Sequence, residues 1–546
     1  MKLLNLIRSD SSANLLWLGL LAAISGIANA FLLVIINMAA QDASDQAASF
    51  RDLAFFLVSI ALYAVTQRQV MVSSTREVES MIHRIRERLI EKIRKADLLP
   101  LERVGRSSIY ASLNKDTLTL SQTAQSLVVG VQSAILTVFT LLYIAWLSRI
   151  AFVVCLSIVV LAIAIYLRKL KRLNEELQEA AVEENRLFDL LTDLLEGFKE
   201  VRMDTRRSDA IYSDLSQMSL QASEKKKESQ TGIARNFIFS QLMFYLLVAA
   251  MVFLVPRMAS MMNSHVASYP QVVVQISTAT LFLLGPVSFL INFLPMLANA
   301  NSAAGHIEQL DETLSAAMGA SPGASKAPLK TDFETLKLEG IRFHYTDPKA
   351  DRPFSLGPVD LTIQQGELLF VTGGNGSGKS TMIKILSGLY YPDSGRVRID
   401  GRVIGAETYD AYRNMFATVF SDFHLFKRLY GIAEDAERTR ALLKWLELDQ
   451  KTDVVNGAFT TVDLSGGQRK RVALLVALLE DKPLYILDEW AADQDPEFRR
   501  KFYREILPEM KRQGKTVIAV THDDQYFDVC DRRVHVAEGQ IAFAQG

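Results

Sequence analysis

The stretch Val371-Thr-Gly-Gly-Asn-Gly-Ser-Gly-Lys-Ser-Thr381 joins residue types and a spacing suited to one chemistry, the binding of a nucleoside triphosphate. Gly373, Gly378, Lys379 and Ser380 fit the pattern G-x4-G-K-[ST], with Gly374, Asn375, Gly376, Ser377 and Thr381 completing the loop. Glycines let backbone N–H groups close in on phosphates, Lys379 reaches the outer ones, and the Ser380 hydroxyl suits Mg2+. A nucleoside triphosphate and Mg2+ are the expected contents. A second pair, Asp488-Glu489, follows the apolar run Leu484-Tyr-Ile-Leu487. Asp488 suits the Mg2+ shell through water, and Glu489 suits a base that polarises the water attacking the γ-phosphate. Leu464-Ser465-Gly466-Gly467-Gln468 precedes the basic run Arg469-Lys-Arg471 and an apolar helix from Val472 to Leu479; a serine and two glycines at a helix start offer donors to an anion.

These groups need elements to aim them. Leu368-Leu-Phe-Val-Thr372 reads as a buried strand and Thr381-Met-Ile-Lys-Ile-Leu386 as the opening of a helix whose positive end faces the phosphates. From Phe333 on, strand and helix signals alternate, as in an α/β domain. The first half differs. Six apolar runs near the ~20 residues a bilayer requires cover about Leu15 to Ala40, Leu53 to Val72, Ser126 to Leu147, Ile150 to Leu167, Phe237 to Val255 and Val272 to Leu297. The first is too long for a signal-peptide core. Ser73 to Gln125 carries ten Lys/Arg and Arg168 to Asn236 thirteen, against one each in the connections around Arg51 and Arg257. The positive-inside rule then predicts that both long segments, both termini and the ATP-binding half are cytoplasmic. Met81, Ile85, Leu89 and Ile93 recur every four residues, so the spans should continue as helices beyond the membrane. Tips are expected at Leu98-Leu-Pro-Leu-Glu-Arg-Val-Gly105 and near Gly197 to Ser208, in reach of the ATP-binding domain.

Pro256, Pro286 and Pro295 mark bends in or beside the last two spans, and Arg68 should snorkel to the interface, with a hold on anionic cargo as the alternative. Ser315 to Pro328 is rich in small, Pro and Gly residues and reads as a linker. The expected domains are therefore 1–314 in the membrane, a linker over 315–332, and a nucleotide-binding domain over 333–546. With 60 basic and 61 acidic residues the chain has no basic excess to recruit nucleic acid, and Cys155 and Cys530 make neither a disulfide framework nor a zinc site.

The phosphate loop, Leu464 to Gln468 and Asp488-Glu489 together resemble the ABC ATPases. The resemblance implies that Tyr345 stacks on adenine, that His522 contacts the γ-phosphate, and that Asp495 ends the interface turn. It implies too that Leu464, Ser465, Gly466, Gly467 and Gln468 complete the site of a second copy, making a homodimer. Two departures stand out: Ala491 to Gln494 lack the usual small-Ala-Leu pattern, and Ser421-Asp422 occupy the place of a glutamine that senses Mg2+. Asp422 or a water is expected to substitute. The whole chain resembles a membrane all-α six-helix exporter domain fused to a cytoplasmic α/β P-loop ABC ATPase domain. Within that superfamily, Gly357 to Ile363, Gly366 to Ser380 and above all Leu487 to Arg500 look like the bacterial cyclic-peptide exporters, which include exporters of microcins and of siderophore precursors such as pyoverdine's. That implies export of a peptide or siderophore precursor across the bacterial inner membrane, among membrane lipid, with hydrolysis by Glu489 resetting alternating access. A lipid or hydrophobic-drug flippase, or a membrane-anchored mechanical ATPase, are the alternatives.

Overall fold

The computed structural model describes residues 2–10, 15–44, 50–261, 269–318, 333–345, 354–405 and 407–543. Two compact units emerge, one of residues 1–91 and 106–312, the other of 92–105 and 313–546.

The first unit is helical. In chain order come α1 (Lys2–Asp10), α2 (Leu15–Ser44), α3 (Phe50–Lys95), α4 (Leu98–Val104), α5 (Arg106–Ala111), α6 (Thr117–Leu147), α7 (Arg149–Glu196), α8 (Phe198–Met203), α9 (Thr205–Ala249), α10 (Val255–Met261), α11 (Tyr269–Phe282) and α12 (Leu284–Ala317), of which α4 belongs to the second unit. Among the described residues six helices are long and apolar enough to cross a membrane. Capping explains where the long ones break. Ser148 is extended and its hydroxyl accepts from the Ala151 amide, starting α7; the Asp204 carboxylate accepts from the Arg206 amide, starting α9. Met81, Ile85 and Leu89 are buried on one face of α3, as the four-residue stripe requires, and Cys155 packs in the membrane core beside Ile144 and Met251. Pro286 follows the break between α11 and α12, and Pro295 lies inside α12. The expected linker starts too early: α12 continues through Ala317, because Leu314 and Ala317 are still buried, and 319–332 lie outside the described residues.

The second unit is α/β. Its strands are β1 (Thr335–His344), β2 (Ser355–Gln364), β3 (Leu368–Thr372), β4 (Ser394–Ile399), β5 (Arg402–Val403), β6 (Phe416–Val419), β7 (Val454–Val455), β8 (Ala458–Phe459), β9 (Leu484–Asp488), β10 (Thr516–Val520), β11 (Arg532–Ala537) and β12 (Gln540–Phe543). A six-stranded sheet runs β12-β11-β3-β10-β9-β6, parallel except at the β11–β12 edge, and a four-stranded antiparallel sheet runs β2-β1-β4-β5. Side-chain alternation splits the core between the two faces of the parallel sheet. Leu369, Val371, Ile486 and Ile518 enter one cluster, and Leu368, Phe370, Leu487 and Val517 enter the other. Helices α13 (Lys379–Leu386), α14 (Tyr409–Arg413), α15 (Ala436–Trp445), α16 (Gly466–Glu480), α17 (Pro496–Lys501) and α18 (Leu507–Arg512) cover the faces.

Helix α4 is built into this second unit. Leu98 and Leu99 pack against the cluster that includes Phe343 and Tyr390. The Tyr391 hydroxyl donates to Asp97 at 2.9 Å, Arg413 pairs with Asp97 at 3.5 Å, and Glu102 accepts from Lys384 at 3.1 Å and from the Tyr390 hydroxyl. Asp97 holds no helix cap because its carboxylate is engaged there. The other tip, α8, belongs to the membrane unit and exposes Phe198 (57%) and Met203 (87%).

Candidate ATP site

The phosphate loop, Ser421, Asp488, Glu489 and His522 sit at the carboxyl edge of the parallel strands, where an open α/β sheet binds ligands. The loop after β3 carries Gly373 to Gly378, Asp488 ends β9, His522 follows β10 and Ser421 follows β6. The loop's glycines are needed for two reasons. A Cβ on Gly373 would stand 2.2 Å from the Val536 carbonyl oxygen, and Gly378 caps α13 at φ 106° with Phe354 pressed against it.

Lys379 is 6% exposed, and its Nζ donates to the carbonyls of Gly373 and Gly374 at 2.9 Å each. The same Nζ stands 3.9 Å from Glu489 Oε1. The Ser377 hydroxyl is buried without a hydrogen-bond partner, a costly arrangement that a phosphate oxygen would relieve. With three exposed residues, Gly374, Asn375 and Gly376, at the loop's crest, the cradle fits a polyphosphate. Exposed Ser380 and buried Asp488 offer the hard oxygens that Mg2+ takes. Burial pushes the Asp488 carboxyl up from its ordinary value, opposed by hydrogen bonding from Ser421, whose amide lies 3.4 Å from Oδ2. So Ser421 reaches Asp488 with its side chain as well as its amide, while Asp422 is exposed.

Glu489 sits in the left-handed region at φ 49°, which for a non-glycine residue costs about 1–2 kcal/mol. His522 Nε2 lies 3.5 Å from Glu489 Oε1. Tyr345 stands over the loop, its hydroxyl 3.3 Å from that of Thr381 and its ring edge-on to Phe343.

The strained turn is held from behind by Lys470, Trp490, Arg471 and Gln494, to which sequence reasoning gave no such role, and by Asp495, which it placed at the end of the interface turn. Lys470 is buried, and its Nζ donates to the Glu489 carbonyl at 2.8 Å while pairing with Asp493 at 2.8 Å. Trp490, 1% exposed, stacks on Phe502 with ring centroids 4.3 Å apart and donates through Nε1 to the Lys470 carbonyl. Gln494 donates to the Gly467 carbonyl and accepts from Arg471, whose guanidinium lies 3.5 Å from the centre of the Phe498 ring. Asp495 caps α17 through the Phe498 amide and pairs with Arg471 at 2.6 Å, which holds its carboxyl below the usual range, the amide contributing most. The hints in the sequence were the basic run Arg469-Lys-Arg471 ahead of the apolar stretch Val472 to Leu479, and the departure from the family pattern at Ala491 to Gln494.

Ser465 and Gln468 close a capping box at the start of α16, with Gly466 exposed beside them. Among the described residues this turn bonds the segment after Glu489 and no residue of the phosphate loop.

A family model described as "ABC transporter" matches residues 356–492, and one described as "ABC transporter transmembrane region" matches 15–287. The ATP-binding protein SyrD of Pseudomonas syringae pv. syringae is 32% identical over 532 residues, covering 95% of this chain and 92% of that one. The chain belongs to the ABC transporters. It is an ATP-hydrolysing transporter that joins membrane and ATPase domains in one half-transporter. An ABC relative named as a probable syringafactin export ATP-binding/permease protein, from P. syringae pv. syringae, is 31% identical over 38% of this chain and 33% of its own. The ATP-dependent lipid A-core flippase of Burkholderia pseudomallei is 27% identical over 68% and 62%.

Proposed function

We propose that this ABC transporter works as a homodimer in the bacterial inner membrane, with both termini and the ATPase domain in the cytoplasm, and exports a peptide or siderophore precursor. One observation carries the coupling: α4, which follows α3 directly in the chain, is packed into the ATPase core through Leu98, Leu99, Asp97 and Glu102. A movement of the ATPase is thereby a movement of a segment joined to a membrane span. The homodimer is supported by the single turn at Ser465 and Gly466, exposed and unbonded to its own phosphate loop, and by the exposed tip α8, which a second copy can cover.

In this mechanism Lys379 and the loop amides hold the triphosphate, and Tyr345 faces adenine. Glu489 takes the role of polarising the attacking water, with His522 beside it to orient the γ-phosphate. Ser380, and Asp488 through water, would hold Mg2+, which would supply charge neutralisation to the triphosphate. Export of a peptide-like cargo is supported by the relative named for syringafactin export. The lipid A-core flippases support lipid flipping as the second reading.

The test is ATP-driven uptake of a labelled cyclic peptide or siderophore precursor into inside-out vesicles, wild type against Glu489→Gln. Uptake present in the first and lost in the second is expected. Equal, ATP-independent signals with ATPase activity intact would refute export.

A further inference from the structure

Two cavities of the membrane unit lie on opposite sides of α6. The first, of about 510 Å³, is lined by Ser25, Asn29, Tyr63, Gln67, Gln132 and Ser133 together with apolar residues. The second, of about 470 Å³, is lined by Val131, Ala134, Ile158, Met243, Phe244 and Leu294 among other predominantly apolar side chains. The partition is helical geometry. Val129, Gln132, Ser133 and Leu136 are one face of α6, and Gly130, Val131, Ala134 and Thr137 are the opposite one. The start of α12 divides in the same way, with Gly285, Pro286 and Phe289 toward the first cavity and Val287, Leu290 and Ile291 toward the second.

The polar cavity is not neutral packing. The Gln67 carbonyl oxygen accepts from Ser25 at 2.9 Å and from Gln132 at 2.6 Å. Its amide NH2, and the side chains of Asn29 and Tyr63, have no protein hydrogen bond among the described residues. Polar groups at membrane depth are expensive, and leaving them unpaired against a cavity fits groups that await a ligand. In the apolar cavity two hydroxyls are taken up by backbone carbonyls, Thr137 donating to that of Ser133 and Tyr166 to that of Ile291, and Ser240 and Ser288 are the remaining hydroxyls of its lining. Among the described residues no Asp, Glu, Lys, Arg or His lines either cavity, and Arg68, whose alternative role was a hold on anionic cargo, is absent from both.

The geometry points to a divided cargo site: an uncharged, hydrogen-bonding part of the cargo lies against Gln67, Asn29 and Tyr63, while a hydrocarbon tail of the same molecule lies between α6, α7, α9 and α12. The inference rests on the export reading above and narrows its cargo to neutral amphiphiles. Amide and hydroxyl donors at Gln67, Gln132 and Ser133 match the amide edges of a peptide; they offer no counter-charge to a phosphate or ammonium head. The tail chamber adds little hydrophobic affinity, since a tail arriving from the bilayer leaves an equally apolar medium. It therefore selects by volume.

Inside-out vesicles holding the full chain test this with an uncharged, C-terminally amidated peptide, N-acetylated or N-decanoylated. ATP-dependent uptake of the decanoyl form and about tenfold less of the acetyl form are expected. Ala134→Phe and Ser240→Phe, which fill the apolar cavity, should cut uptake of the decanoyl form about tenfold and leave basal ATPase within about twofold. Gln67→Leu should lower uptake of the decanoyl form as well. Wild type alone gives an independent measurement: across a series of tail lengths, uptake rises to an optimum and falls as the tail outgrows the chamber. Equal uptake of both forms, a flat tail series, or normal transport by Ala134→Phe and Ser240→Phe overturns the inference and leaves export standing, the second cavity then holding bilayer lipid only. Equal uptake of a peptide bearing a lysine refutes the requirement for a neutral head. ATP-independent signals for every probe would instead remove the export reading itself.

Discussion

Replacing Lys470 by methionine removes the charge that holds the turn carrying Glu489, while keeping an unbranched apolar stem in a buried position. Two bonds are lost, the 2.8 Å donation to the Glu489 carbonyl and the 2.8 Å pair with Asp493. The pair matters less, because the Asp493 side chain is 58% exposed and its attraction is screened. The carbonyl bond matters more: a hydrogen bond from a charged donor is worth about 1.5–3 kcal/mol net. Glu489 at φ 49° stores about 1–2 kcal/mol of backbone strain that this bond helps to oppose. The carbonyl keeps a bond from the Ala492 amide at 3.3 Å, so the folded domain survives with a relaxed turn. At 1.4 kcal/mol per decade the maximal ATPase rate should fall roughly 10- to 100-fold. Among the described residues Lys470 makes no hydrogen bond or ion pair with the phosphate loop, so the KM for ATP should stay within about twofold. Steady-state phosphate release from purified transporter, with near-UV circular dichroism as the folding control, measures both quantities. Asp493→Asn is the internal comparison and should lose no more than about threefold in rate. A Lys470→Met rate equal to wild type, or a rise in KM with the rate unchanged, would refute the reasoning that the lysine positions Glu489.

Three further outcomes follow from distances. Gly373→Ala places a Cβ 2.2 Å from the Val536 carbonyl oxygen at φ 149°, so binding of a fluorescent ATP analogue should weaken by roughly tenfold or more. Trp490→Phe keeps an aromatic against Phe502 but drops the bond to the Lys470 carbonyl, costing about 1 kcal/mol, seen as a melting temperature about 2–4 °C lower. Glu102→Leu removes the acceptor for Lys384 and Tyr390 on α4; cargo moved per ATP should fall roughly fivefold or more while basal hydrolysis persists, measured by paired uptake and phosphate assays.

The sequence exposed what depends on local rules. A strand, a glycine turn and a helix in immediate succession can be read directly, and Val371 to Thr381 folds that way around Gly373 and Gly378. Apolar length alone marked the six spans. What stayed hidden depends on long-range pairing. Asp97 and Glu102 look like ordinary charges at a helix turn, and only the fold brings Tyr391, Arg413, Tyr390 and Lys384 to them from about 300 positions away. The cavities were hidden for the same reason, since Ser25, Gln67 and Gln132 come from three helices and none is unusual in its own sequence. The linker boundary was misplaced because small residues after Leu314 signal a break, whereas burial of Ala317 extends the helix by packing.

The departures from the family pattern at Ala491 to Gln494 acquire a physical meaning from that pairing. Where small and apolar side chains are usual, Asp493 meets Lys470, and Gln494 bridges the Gly467 carbonyl and the Arg471 guanidinium. A Cβ on Gly467 would lie 2.8 Å from the Asp493 carbonyl oxygen, so the start of α16 and the turn after Glu489 are in direct contact. The turn that aims Glu489 and the turn bearing Ser465 and Gly466 are therefore one hydrogen-bonded body. In the proposed homodimer these two turns serve different ATP sites, Glu489 its own and Ser465 the partner's. A displacement at one site then reaches the other through three side chains, Lys470, Asp493 and Gln494, without crossing the membrane domain. Breaking the bridge with Gln494→Leu, the apolar residue the family pattern places there, should lower the cooperativity of hydrolysis with ATP concentration more than the maximal rate; an unchanged Hill coefficient beside a reduced rate would show that Gln494 only supports the fold.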